Sequence, residues 1–101
     1  MVARPMQPLS LAMLSYVKPL EEVDTHRAAH VAWIEARMAA GEMLLAGRRN
    51  PPTGGVLLFR GDADTVQALA ETDPFVLNGV ATVEVVAFTA TLAVDAVAAA
   101  L

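Results

Sequence analysis

The sequence predicts an α+β domain of the ferredoxin-like type: a four-stranded antiparallel sheet with two helices on one face. Three observations predict it. Apolar runs of strand length and stretches with helical periodicity follow one another in the order β-α-β-β-α-β, the split βαβ arrangement. Turn-forming Gly, Pro, Asn and Asp residues separate them. The chain has 101 residues, the usual size of a single domain.

Each element has a local reason. Residues 1–8 carry two prolines and read as a flexible N-terminal arm. Residues 9–89 form the domain proper, and residues 90–101 read as a tail or short helix. Leu9 to Val17 reads as a first strand, closed by Lys18-Pro19. Asp24 or Thr25 then caps a helix to about Ala40, with Val31, Ile34 and Met38 as its expected apolar stripe and Gly41 as its stop. Met43–Gly47 and Val56–Arg60 are the second and third strands, joined by the Arg48–Gly55 loop. Asp62 or Asp64 caps a second helix whose stripe is Val66, Leu69 and Ala70. That helix ends before Pro74, because a residue ahead of proline avoids helical geometry. Val80 to about Thr89 is the fourth strand.

Composition narrows the function. Apolar residues make up 55% of the chain, above the ~45–50% common in soluble domains. Met43–Ala46 and Val56–Phe59 are apolar on both strand faces, yet two helices cover only one face. The second face therefore calls for another cover, and a second copy of the sheet supplies one: a homodimer with sheets packed face to face. No run reaches the ~18 residues of a membrane span. A net charge of −4 with a single lysine argues against nucleic acid as a partner, because phosphate binding needs clustered Lys and Arg. Without cysteine there is no thiol catalysis, disulfide or thiolate metal site. The N-terminus lacks a secretory leader, so the expected compartment is the cytoplasm.

The residues with chemistry to offer are few. His30, on the first helix, carries an imidazole, the side chain most often used to shuttle protons. Asp73, in Thr72-Asp73-Pro74-Phe75, is the carboxylate that would fix its tautomer; on its own, Asp before Pro is an ordinary turn former. His26 lies one turn before His30, but no third ligand accompanies the pair, so no metal is expected. Trp33 and Arg37 share the helix with His30 and together suit a flat anionic ring, or else a packed tryptophan beside a solvated arginine. Tyr16 ends the first strand and can offer a hydroxyl. Arg48-Arg49 reads as a solvated basic turn that would also attract an acidic substrate. Gly54-Gly55 lacks the helix start and lysine of a phosphate loop, and no cofactor is expected.

Arg27-x-x-His30, Gly41-Glu42-Met43-x-x-x-Gly47, Gly54-Gly55 before a strand, and Asp73-Pro74-Phe75-x-x-x-Gly79-Val80 together resemble the YciI-related (YCII) proteins over most of Leu9 to Phe88. The resemblance implies a dimeric α/β-barrel built from ferredoxin-like subunits. It implies a cleft beside the sheet with His30 and Asp73 as a proton-transfer pair, and Arg27, Tyr16, Trp33 and Phe75 as the residues expected around a small-molecule ligand. Some relatives resemble enzymes acting on hydroxylated or chlorinated intermediates of aromatic ring breakdown. The expectation is therefore a cofactor-independent isomerase or lyase. The alternative is a dimeric ligand-binding or accessory module that uses the same cleft without turnover.

Overall fold

The computed structural model describes residues 2–101. In chain order its elements are β1 (Val2–Ala3), β2 (Gln7–Tyr16), α1 (Leu20–Asp24), α2 (Arg27–Ala39), β3 (Met43–Arg48), β4 (Gly54–Arg60), α3 (Ala63–Ala70), α4 (Pro74–Leu77), β5 (Ala81–Ala90), β6 (Ala93–Val94) and α5 (Asp95–Ala100). Strands β3-β4-β2-β5 form one antiparallel sheet in that order, the ferredoxin-like arrangement. It is an open sheet, not a closed barrel.

Register decides which side chains reach the site. Leu14 pairs with Gly55 and Val83, and Ala12 with Leu57 and Val85, so these residues share the face beneath the helices. Ala12, Leu14, Leu57 and Phe59 are buried there against Val23, Val66, Ala70 and Phe75. Ser10 is buried among them, satisfied by donating from Oγ to the Gly61 carbonyl at 2.9 Å. Gly54 is required where β4 meets β2, because a Cβ would lie 1.8 Å from the Leu14 carbonyl oxygen. Gly54→Ala is expected to cost about 1–3 kcal/mol through backbone displacement. A melting temperature equal to that of the wild type would show that the strands have room.

Each predicted helix is present and has an unpredicted short helix beside it. α1 precedes the first, and the Thr25-His26 break separates it from α2, whose N-cap is His26 rather than Asp24 or Thr25. The second ends at Ala70, and Asp73 then caps a separate turn, α4. Asp62 caps α3 by accepting from the Thr65 backbone N–H at 2.8 Å. That bond holds its carboxyl below the usual 3.8. A lowered acid stabilises the fold above its unfolded value, and the contribution disappears as pH falls through the folded one. Asp62→Asn keeps the cap and is expected to flatten the acid limb of a stability–pH curve; an unchanged limb would refute the coupling.

The stripe expected on the first helix is corrected. Val31 is 44% and Met38 38% exposed, whereas His30 is the buried residue of α2, with Trp33 and Ile34 packed against the core. The helix is rotated so that its imidazole, not its valine, meets the sheet.

Both chain ends carry secondary structure. Val2–Ala3 of the arm pairs antiparallel with Ala93–Val94 of the tail, and Gln7 and Pro8 already belong to β2; Met1 lies outside the described residues. The tail continues into α5. Its Ala96, Val97, Ala100 and Leu101 border an apolar groove with Leu9, Leu45, Leu58 and Phe88 of the second sheet face. The Arg60 guanidinium donates to the carbonyls of Ala100 and Gly41 and ties the end of α5 to the sheet. One end of that face is thus covered by the chain itself. The rest, with Leu11 and Met13 half-buried and Val86 43% exposed, is open.

Candidate functional site

Asp73 is placed by its own local chemistry. Pro74 holds it in extended geometry (φ −59°, ψ 128°), and its Oδ1 accepts from the Phe75 backbone N–H at 2.9 Å. The same oxygen accepts from His30 Nδ1 at 2.7 Å, across 43 residues of sequence. One carboxylate oxygen is therefore both turn former and histidine partner. Asp73 is fully buried, and its Oδ2 has no partner among the described residues. A carboxylate acting as acceptor here takes the imidazole proton of Nδ1, the tautomer that leaves Nε2 as the free ring nitrogen. His30 Nε2 is left without a hydrogen bond among the described residues, and it is not among the fully buried polar atoms.

Aromatic contacts hold the imidazole plane. Phe75 stacks on His30 with centroids 3.9 Å apart and planes at 11°, and Trp33 lies nearly parallel to it at 6.4 Å. Trp33 Nε1 donates to Thr72 Oγ1 at 2.9 Å, which ties the stack to the turn that carries Asp73. Tyr16 meets Phe75 edge-on at 5.8 Å. A ring fixed this way loses little further freedom when Nε2 engages a ligand.

His30 opens onto a cleft between α2 and the β3–β4 end of the sheet, about 200 Å³ in volume. Leu14, Val31, Ile34 and Leu57 form apolar walls, while Gly47, Gly54 and Gly55 leave the floor without side chains. Tyr16, Arg27 and Arg48 line this cavity and also an adjoining one of about 250 Å³, bordered by Leu20, Asp24 and Pro52. Tyr16 is held at the junction because its backbone N–H donates to the Thr53 carbonyl at 2.8 Å. Arg27 donates from Nε to Asp24 Oδ1 at 2.9 Å and lies 5.7 Å from the Phe75 ring centroid. Its guanidinium is held more firmly protonated than usual, chiefly by the Asp24 hydrogen bond; burial opposes this and the Tyr16 hydroxyl adds to it.

The residues singled out from sequence thus divide. His30, Arg27 and Tyr16 line the cleft, and Asp73 stands behind His30. Trp33 and Phe75, expected around the ligand, instead pack against the imidazole and border neither cavity. Arg37 pairs with Glu42 at 3.2 Å, away from the cleft, because its position on α2 faces the turn at Gly41. The sequence reading missed Val31 and Ile34 as cleft wall, since helical spacing marks a residue as apolar but not as facing a cavity. Arg48 had a visible signal, a basic pair at a Pro/Gly loop.

A family model described as YCII-related domain matches residues 9–89. No curated protein matches the chain by sequence. Among solved structures the chain is similar to the 5-chloro-2-hydroxyhydroquinone dehydrochlorinase TftG from Burkholderia phenoliruptrix AC1100, in complex with 2,5-dihydroxybenzoquinone. The TM-score is 0.64 at 24% identity, covering 77% of this chain and 90% of that one. At this identity the likeness concerns the fold.

Proposed function

The chain belongs to the YCII-related family, and on that premise we propose that it is a small-molecule enzyme in which His30 and Asp73 move a proton. One observation carries the reading: the 2.7 Å bond that commits His30 Nδ1 to a buried carboxylate while Nε2 stays free beside a cleft. In such a pair the carboxylate orients the ring and stabilises the imidazolium that forms when Nε2 takes a proton.

The reaction is an isomerisation or an elimination. In the elimination, Nε2 removes a proton from carbon, the C–H electron pair becomes a new double bond, and a leaving group departs with its own bonding pair. Tyr16 and Arg27, at the junction of the two cavities, position the substrate. The similarity to a dehydrochlorinase holding a dihydroxybenzoquinone supports a hydroxylated six-membered ring, of the kind met in aromatic breakdown. The open apolar sheet face supports a homodimer formed through it. We place the protein in the cytoplasm; no helix among the described residues is long and apolar enough to cross a membrane.

The test is chloride release from 5-chloro-2-hydroxyhydroquinone, together with solvent-deuterium exchange at carbon for a panel of hydroxylated ring compounds. Wild type is expected to show one or the other, and His30→Gln neither. If ring compounds raise the melting temperature of both proteins equally and neither turns them over, the chain is the binding module instead.

A further inference from the structure

We infer that the cleft is built for a ring compound bearing a carboxylate, and that Arg48 is the residue that recognises the acid group. The inference rests on the proposed proton-transfer site and adds the substrate's charge and shape.

Three charged groups border the two cavities: Asp24, Arg27 and Arg48. Asp24 and Arg27 neutralise each other at 2.9 Å. The Arg48 side chain makes no hydrogen bond or ion pair with the described residues, so the charge left in the cleft is a single positive one, in a chain whose net charge is −4. It sits at the end of the edge strand β3 and borders both cavities, one of which also holds His30. The neighbouring Arg49 is engaged differently: its Nη1 donates to Ser15 Oγ at 3.1 Å, and it borders neither cavity.

A guanidinium offers two parallel N–H donors that match a planar carboxylate, more specifically than a point charge would. The cavity that Arg48 and His30 share is walled by the apolar residues Leu14, Val31, Ile34 and Leu57. Such a surface gains by covering a ring and gives nothing to a second charge. Acid group at Arg48, ring against the apolar wall and reacting carbon at His30 Nε2 is the arrangement that uses every part of the cleft.

Benzoate and benzamide separate the contributions, because they share shape and differ in charge. By titration followed through backbone amide signals, benzoate is expected to bind the wild type at millimolar concentrations. It should shift Gly47, Arg48, Gly54 and Gly55, and bind about tenfold tighter than benzamide, the size of one charge-assisted hydrogen-bonded pair. Arg48→Gln is expected to remove that difference with no change in melting temperature, since the residue is exposed. Arg49→Gln is expected to keep it. Equal binding of the two probes, no binding of benzoate to the wild type, or the same loss in Arg49→Gln as in Arg48→Gln would each overturn the inference. Benzoate offers His30 no proton to move, so its binding reads the acid site alone and stands or falls apart from turnover.

Discussion

Asp73→Ala is expected to lower the melting temperature by on the order of 10–20 °C and to abolish turnover, whereas Asp73→Asn is expected to stay folded and lose turnover alone. The alanine variant removes both bonds made by Oδ1. Loss of the α4 cap costs about 1 kcal/mol, and the buried Nδ1–H of His30 left without an acceptor adds about 1–3 kcal/mol. Asparagine restores both bonds through its amide oxygen. Its amide nitrogen takes the place of Oδ2, which has no partner, so the cost is smaller but not zero. What asparagine cannot restore is the negative charge that stabilises the imidazolium. Turnover should therefore fall by about 10²–10⁴-fold, the usual worth of a general base. Thermal unfolding gives the first quantity, and chloride release or carbon deuterium exchange the second. If Asp73→Asn turns over like the wild type, the pair is a structural bond and the proton-transfer reading fails.

Val86→Glu is expected to turn a dimer into a monomer. Val86 lies on the open sheet face, paired with Leu11 and two residues from Glu84 on the same face. Its side chain is 43% exposed in the single chain, so the substitution leaves the core untouched. Packed face to face with a second sheet, the new carboxylate would be taken out of water opposite an apolar surface, and across a two-fold axis close to its own copy. Burying an unpaired charge costs several kcal/mol, so a cost of about 3 kcal/mol already weakens association more than a hundredfold. Light scattering at micromolar concentration should give twice the chain mass of 10.6 kDa for the wild type and that mass for the variant. A monomeric wild type, or a variant still dimeric, would refute association through this face. α5 sharpens the expectation, because it already covers the Leu9 end of the face and leaves the Leu11–Met13–Val86 region as the surface that remains.

The sequence alone determined the order and type of the principal elements, because their signals are local. Apolar runs of strand length mark the strands, Gly41 and Pro74 stop the helices, and Asp62 or Asp64 is the cap of the helix that follows β4. The His30 and Asp73 motifs were equally legible as residues. Their contact was not, because it spans 43 positions and depends on how far α2 is rotated about its axis. Apolar spacing pointed that helix at Val31; packing turned it to His30, whose buried polar atom had a partner waiting at Asp73. The same rotation placed Trp33 behind the imidazole and Val31 in the cleft wall. The sheet register brought Arg48 at the end of one strand and Tyr16 at the end of another to a single opening. Only the tertiary structure decides such matters, because a side chain's neighbours come from distant parts of the chain, and burying a polar group is favourable only where a partner from elsewhere meets it.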